Sequence, residues 1–326
     1  MKTETSSLKQ ASGQSAGHSP APAPAPLWLV VAAFAAVYTL WGSTYLGIRF
    51  AVQSIPPFIM AGSRHLTAGI LLFACARLRS AAAPTWLQWR DATISGILML
   101  VIGNGGVTWA EKQVPSGTTA LLVALVPLWM VLLDWLRPQG ARPRALVIAG
   151  LIIGFLGVGL LARGHGEHHE AAYGWSVAAL MAAAFSWAYG SVFNRTARKP
   201  ASAFLGVAMQ MIAGGVVLMG LAGMQGEFGT FQLNHVTALS FGSWLYLTIA
   251  GSLVGYTAYV WLLHASTPAR VATYAYVNPL IAVLLGCTLG HEVFSHELIA
   301  AGALIIVAVV LIVRGGAQRV GMTNAK

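Results

Sequence analysis

Arg64 is the side chain in this sequence that most needs explaining. It lies inside an apolar run, after Met60-Ala61-Gly62-Ser63 and before Leu66-Thr67-Ala68-Gly69. A cation within a membrane-length stretch is costly, so it is by default a functional candidate. Its chemistry would be attraction of a substrate carboxylate. The alternative is an arginine that snorkels to the interface or pairs with a backbone carbonyl. Asn104 and Thr108 are one helical turn apart and share a face, beside Gly103, Gly105 and Gly106. That pattern makes a slim polar cavity wall or a close helix contact. Trp41, Trp109, Trp187 and Trp261 offer walls for apolar or aromatic substrates, or an interfacial belt. Ser43, Tyr256 and Tyr259 complete the candidate substrate-binding set.

None of these groups makes or breaks bonds. An intramembrane enzyme needs paired acids, a Ser–His or His–Asp set, or a metal motif at membrane depth, and the sequence offers none, so no catalytic residue is assigned. His291-Glu292 and His296 resemble a zinc-protease motif, but those histidines are five apart where one helical face needs four. There is no GxxxxGK[ST] loop for ATP. His165, Glu167, His168, His169 and Glu170 could ligate a metal in a membrane sensor, but read better as a solvated loop. No metal or cofactor is expected. Glu111, His65 and His264 are the only candidates for proton coupling, and each reads as interfacial, as does Asp134 at the inner end of its span.

These residues must be positioned by membrane helices. The chain has 326 residues, 57% hydrophobic and 9% charged. A bilayer span needs about 20 mainly apolar residues. Ten such stretches fall near 27–47, 58–77, 92–110, 117–136, 145–162, 173–193, 202–222, 242–263, 270–289 and 296–313. The fold expected is an all-α membrane protein of ten helices. The net charge of +10 does not point to nucleic acid, because the basic residues are spread over short loops. If the helices alternate from a cytoplasmic N-terminus, 15 of 19 Lys and Arg lie inside, leaving Arg49, Arg64, Lys112 and Arg163. The positive-inside rule then puts both termini in the cytoplasm. Residues 1–26, with alternating Ala and Pro from Pro20 to Pro26, read as a disordered tail, and 316–326 as a second tail. Cys75 and Cys287 read as packing residues without a disulfide.

The chain also repeats itself. A shift of 152 residues puts Gly103 on Gly255, Trp109 on Trp261, Pro127 on Pro279 and Asn104 on Tyr256. Trp41-Gly42 matches Trp187 to Gly190 under a slightly different shift. The halves are 27–163 and 173–315, five helices each. Five is odd, so the second half enters from the opposite side and the repeats are inverted, a common transporter architecture with its site at the repeat interface. Pro127 and Pro279 should bend their helices, as hinges or as static kinks. Gly150 and Gly154, and Gly251 and Gly255, have the spacing of close helix contacts within the chain or of a homodimer. The protein is expected to be a monomer or a homodimer.

Two five-helix repeats with Trp41-Gly42-Ser43, Arg64, the run from Gly103 to Glu111, Val114-Pro115-Ser116-Gly117, Pro127 and Asn278-Pro279 resemble the EamA family of the drug/metabolite transporter superfamily, in its YedA-like branch. The resemblance covers about residues 27–315. It implies a multi-pass protein of the bacterial inner membrane that exports or exchanges small metabolites, amino acids or related compounds, by alternating access.

Overall fold

Apolar runs bounded by Pro, Gly and Thr form long helices, and no strand occurs among the described residues. The computed structural model describes residues 26–79, 81–136, 145–163, 170–266, 268–271, 273–293 and 295–323. The expected tail over 1–25, the histidines at 165, 168 and 169 and the last three residues lie outside them, as do the side chains of Asp134, His264 and Tyr276.

The helices are α1 (Leu27–Ala51), α2 (Pro57–Leu78) and α3 (Trp86–Ala110), then α4 in two pieces (Ser116–Val123 and Val126–Trp135). Next come α5 (Ala145–Arg163), α6 (Glu170–Thr196) and α7 (Ala203–Met224). Residues 238–265 form α8, Tyr274–Thr288 form α9 and His296–Thr323 form α10. Seven stretches are long and apolar enough to cross a bilayer. Among the described residues, apolar stretches of α5, α9 and α10 (Ala145–Leu160, Val277–Thr288 and His296–Ile312) add to these. α9 starts after a separate turn at Pro268–Val271 and carries Pro279 inside it.

The packing repeats when the halves are exchanged. α2 packs on α7 and α5 on α10, each helix meeting its counterpart. α1 packs on α8 and α9, while α6 packs on α3 and α4. Local details recur as well. α3 and α8 each carry a π-helical stretch, at Ile97–Gly105 and Leu247–Tyr256. Each begins at a capping threonine, and Thr85 and Thr237 are 152 residues apart. A π-turn leaves some backbone carbonyls off the α ladder and is often found at functional sites.

The glycine pairs are used inside the chain. A Cβ on Gly150 would collide with Ile312 and Ala308 of α10, and one on Gly255 with the Trp41 indole. Both contacts serve intramolecular packing. Large apolar side chains face outward, among them Ile70, Leu71, Ile152, Leu156, Leu280 and Leu284. Such a surface suits lipid and would aggregate in water. Among the described residues Cys75 and Cys287 are free thiols, and Cys75 is exposed where a packed position was expected.

Candidate functional site

A cavity opens between the two halves, lined by α1, α2, α3, α4, α6, α8 and α9. Its volume is about 80 Å³. A single water needs about 10–15 Å³ on this measure, so there is room for roughly five to eight waters or one small solute.

Arg64 and His65 reach the cavity from α2 and are both only 3% exposed. This settles the alternatives for Arg64: it does not snorkel. Its Nη2 donates to Asn104 Oδ1 across the cavity wall. Its Nε has no hydrogen-bond partner among the described residues. A buried donor left unpaired is costly, which makes this edge of the guanidinium an open site for an acceptor. His65 was expected at an interface and is buried instead, because α2 packs between α7 and α8. Its Nε2 faces Asn104 Oδ1 at 3.4 Å and its Nδ1 faces Ser252 Oγ at 3.5 Å. Arg64 Nη2 also lies 3.5 Å from that Nε2.

The opposite wall is aromatic. Trp41 and Trp187, matched across the repeats, meet edge to face with centroids 5.5 Å apart. Tyr274 stands edge-on to Trp41 at 5.7 Å, and Tyr256 edge-on to Trp187 at 6.3 Å. Edge-to-face packing of this kind favours fixed geometry. The Trp41 indole donates to Gly251 O at 3.3 Å, and the Tyr256 hydroxyl to Gln210 Oε1 at 2.5 Å. Tyr259 lies behind this layer, fully buried, 4.9 Å from Trp41 and hydrogen-bonded to Ser191. A much smaller void beyond it is lined by Tyr259, Tyr274, Pro127 and Arg195. The aromatic layer therefore separates the main cavity from that void.

Five of the ten candidate residues line the cavity: Trp41, Arg64, Asn104, Trp187 and Tyr256. The other five are placed elsewhere. Ser43 meets the Tyr246 hydroxyl at 2.6 Å beside a separate surface groove. Thr108 is buried and donates back to Asn104 O at 2.9 Å. Trp109 is 36% exposed and Trp261 is half-buried, and neither reaches the cavity. Each is five residues beyond its cavity-lining neighbour, about 140° around the helix. Tyr259 supports the aromatic layer from behind. Sequence reasoning did not pick out Thr44, Tyr45, His65 or Ser252 as wall residues.

Acids buried around the helix ends were also missed. Glu227 accepts from the backbone N–H groups of Phe58 and Ile59, capping α2. Glu292, from the near-miss zinc motif, accepts from Ser116 N, Ser116 Oγ and Gly117 N, capping α4, and lies 3.5 Å from Arg49 Nε. Both place negative charge at a helix N-terminus. Glu111, expected at an interface, is 2% exposed. No group of three or more metal-ligating side chains gathers among the described residues.

Comparison with known proteins adds to this geometry. The EamA-like transporter family matches the chain twice, over residues 25–163 and 174–314. The chain is 41% identical over 286 residues to the uncharacterized inner membrane transporter YedA of Escherichia coli (strain K12), covering 87% of this chain and 90% of that protein. It is 26% identical over 279 residues to the uncharacterized transporter YvbV of Bacillus subtilis (strain 168), covering 85% and 89%. A crystal structure of a protein at 21% identity superposes with a TM-score of 0.62, covering 87% of this chain and 97% of that one. At that identity the superposition speaks for the fold alone.

Proposed function

This chain belongs to the EamA-like transporter family, and on that premise we propose that it is a secondary transporter for small carboxylated metabolites, amino acids or related compounds, in the bacterial inner membrane. The observation that carries the substrate class is the unpaired Nε of Arg64 in the wall of a small, largely aromatic cavity between the halves. A carboxylate oxygen satisfies that donor, and the aromatic rings take the apolar remainder of the solute.

Ten helices crossing the bilayer as two inverted repeats account for the main packing, in which α2 meets α7, α5 meets α10, and the α1–α8 and α1–α9 contacts are mirrored by α6–α3 and α6–α4. Two interchangeable halves supply the outward and inward conformations of alternating access. The aromatic layer of Trp41, Trp187, Tyr256 and Tyr274, backed by Tyr259, is the barrier that such a cycle opens. The chain is read as a carrier, in keeping with the transporters it resembles.

The test is a metabolite-efflux screen in cells overexpressing the chain, with Arg64→Ala and Arg64→Lys as controls. Loss of a charge-assisted hydrogen bond costs about 1.5–3 kcal/mol, so Arg64→Ala should weaken transport of carboxylates roughly ten- to hundredfold. Arg64→Lys should lose less, because a cation remains without the guanidinium fork. Equal transport by both variants and the parent, at equal expression, would sink the carboxylate reading.

A further inference from the structure

We propose that His65 is a second ligand of the cavity and takes up one proton with each carboxylate bound at Arg64, an inference that rests on the carboxylate reading of the cavity. Both side chains line that cavity, and Arg64 Nη2 lies 3.5 Å from His65 Nε2. A solute oxygen that meets this edge of the guanidinium is within reach of the imidazole.

The partners of the ring suit two protonation states. Arg64 Nη2 can only donate to Nε2, while Asn104 Oδ1, 3.4 Å away, can only accept from it. Nδ1 faces Ser252 Oγ at 3.5 Å, and a hydroxyl does either. A neutral ring accepts at one nitrogen and donates at the other. An imidazolium donates to Asn104 and Ser252 together. Charge decides between the two. Among the residues lining the cavity there is no Asp or Glu. An imidazolium in the empty cavity would therefore stand beside the guanidinium without an anion, and like charges repel strongly in a low-dielectric site. A bound carboxylate supplies the anion and receives a charge-assisted hydrogen bond from the ring.

The other titratable groups stand further off or titrate elsewhere. Tyr45 of α1, Tyr256 of α8 and Tyr274 of α9 share the cavity wall, and phenols titrate near 10. Glu111 is buried just past the end of α3. Glu227 is held by the first turn of α2, at the backbone of Phe58 and Ile59. α7, packed along α2, carries no ionisable side chain. When the carboxylate arrives, an O–H bond of hydrated solvent breaks and an N–H bond forms on the imidazole. When it leaves, the N–H bond breaks and the proton returns to water. Proton and carboxylate cross together.

The test is calorimetric titration of benzoate into the full chain in lipid nanodiscs, in buffers of unlike ionisation heat, over about pH 5 to 8, where histidine titrates. The parent should take up as much as about one proton per benzoate, and where it does so its affinity should fall about tenfold per pH unit. His65→Gln keeps hydrogen-bonding groups and cannot titrate. It should take up no proton and bind with the parent's high-pH affinity throughout. In the parent with histidine labelled by the heavy nitrogen isotope, one of the nine rings should become an imidazolium when benzoate is added. That readout does not depend on the variant folding. Three results overturn the proposal and leave the carboxylate reading standing: benzoate binding without proton uptake, uptake retained by folded His65→Gln, or uptake with all nine rings unchanged. No binding by the parent at any pH overturns the carboxylate reading, and this inference with it.

Discussion

At the scale of single residues, position on the helix decides which member of a repeat-matched pair can touch a solute. Asn104 and Tyr256 occupy equivalent places in α3 and α8, and both line the cavity. Trp109 and Trp261 are equally well matched, yet both lie off the wall. Asn104→Ala should therefore impair transport by removing the group that holds Arg64 Nη2. Tyr256→Ala should do so by removing an aromatic face worth about 1 kcal/mol, roughly fivefold in affinity. Trp109→Ala and Trp261→Ala should leave solute affinity at the parent level. Efflux and binding assays at matched expression check this, and equal losses from all four would contradict the assignment of the wall. The pairing itself was legible in the sequence, because a fixed shift of 152 exposes it. The direction of each side chain was not, because apolar residues surround every helix here and no amphipathic stripe marks an inner face. Glu111 was named from the sequence, but as an interfacial side chain; its burial was not legible there.

At the scale of elements, helix ends rather than helix middles carry the least expected interactions. The starts of α2 and α4 are capped by acids from the loops after α7 and α9. In each case the acid follows the repeat counterpart of the helix it caps, so the two halves are latched together twice by the same device. The sequence shows neither latch, since each joins residues about 170 positions apart. Glu292→Ala should leave three buried donors and Arg49 without their acceptor, a loss of about 2 kcal/mol or more. A lowered melting temperature of the purified protein is the expected result, with Lys112→Ala, at an exposed site, as the unaffected control. Unchanged melting of Glu292→Ala would show that the cap adds nothing to stability. The prolines were legible and so was their consequence: α4 breaks just before Pro127, and α9 carries Pro279 beside Asn278. With its amide turned to face its acceptors, Asn278 donates to Tyr38 O and Tyr274 O at 3.2 Å each, tying α9 to α1. The π-helical stretches of α3 and α8 left no mark in the apolar pattern, because they change the turn and not the composition.

At the scale of the whole molecule, the two ends of the helix bundle differ in charge. Loops 79–85 and 196–202 lie together, joined by Gln88 donating to Lys199 O and Arg198 N donating to Asp91. Arg77, Arg79, Arg90, Arg195, Arg198 and Lys199 flank those loops. At the other end Glu227 meets Phe58, Thr237 meets Ser54, and Glu292 meets Arg49 and Ser116. There the basic residues are Arg49, Lys112 and, at the end of α5, Arg163. Cytoplasmic loops carry the excess of Lys and Arg, so the first end should face the cytoplasm. Single cysteines decide the matter in a background where Cys75 and Cys287 are replaced. Gly229→Cys sits on an exposed helical turn, Glu227–Thr230, at the second end with nothing near its Cβ, and Ala83→Cys is exposed at the first. In intact cells a membrane-impermeant maleimide should label Gly229→Cys and spare Ala83→Cys until the membrane is opened. The reverse pattern would invert the orientation and put the Arg49–Glu292 pair on the cytoplasmic side.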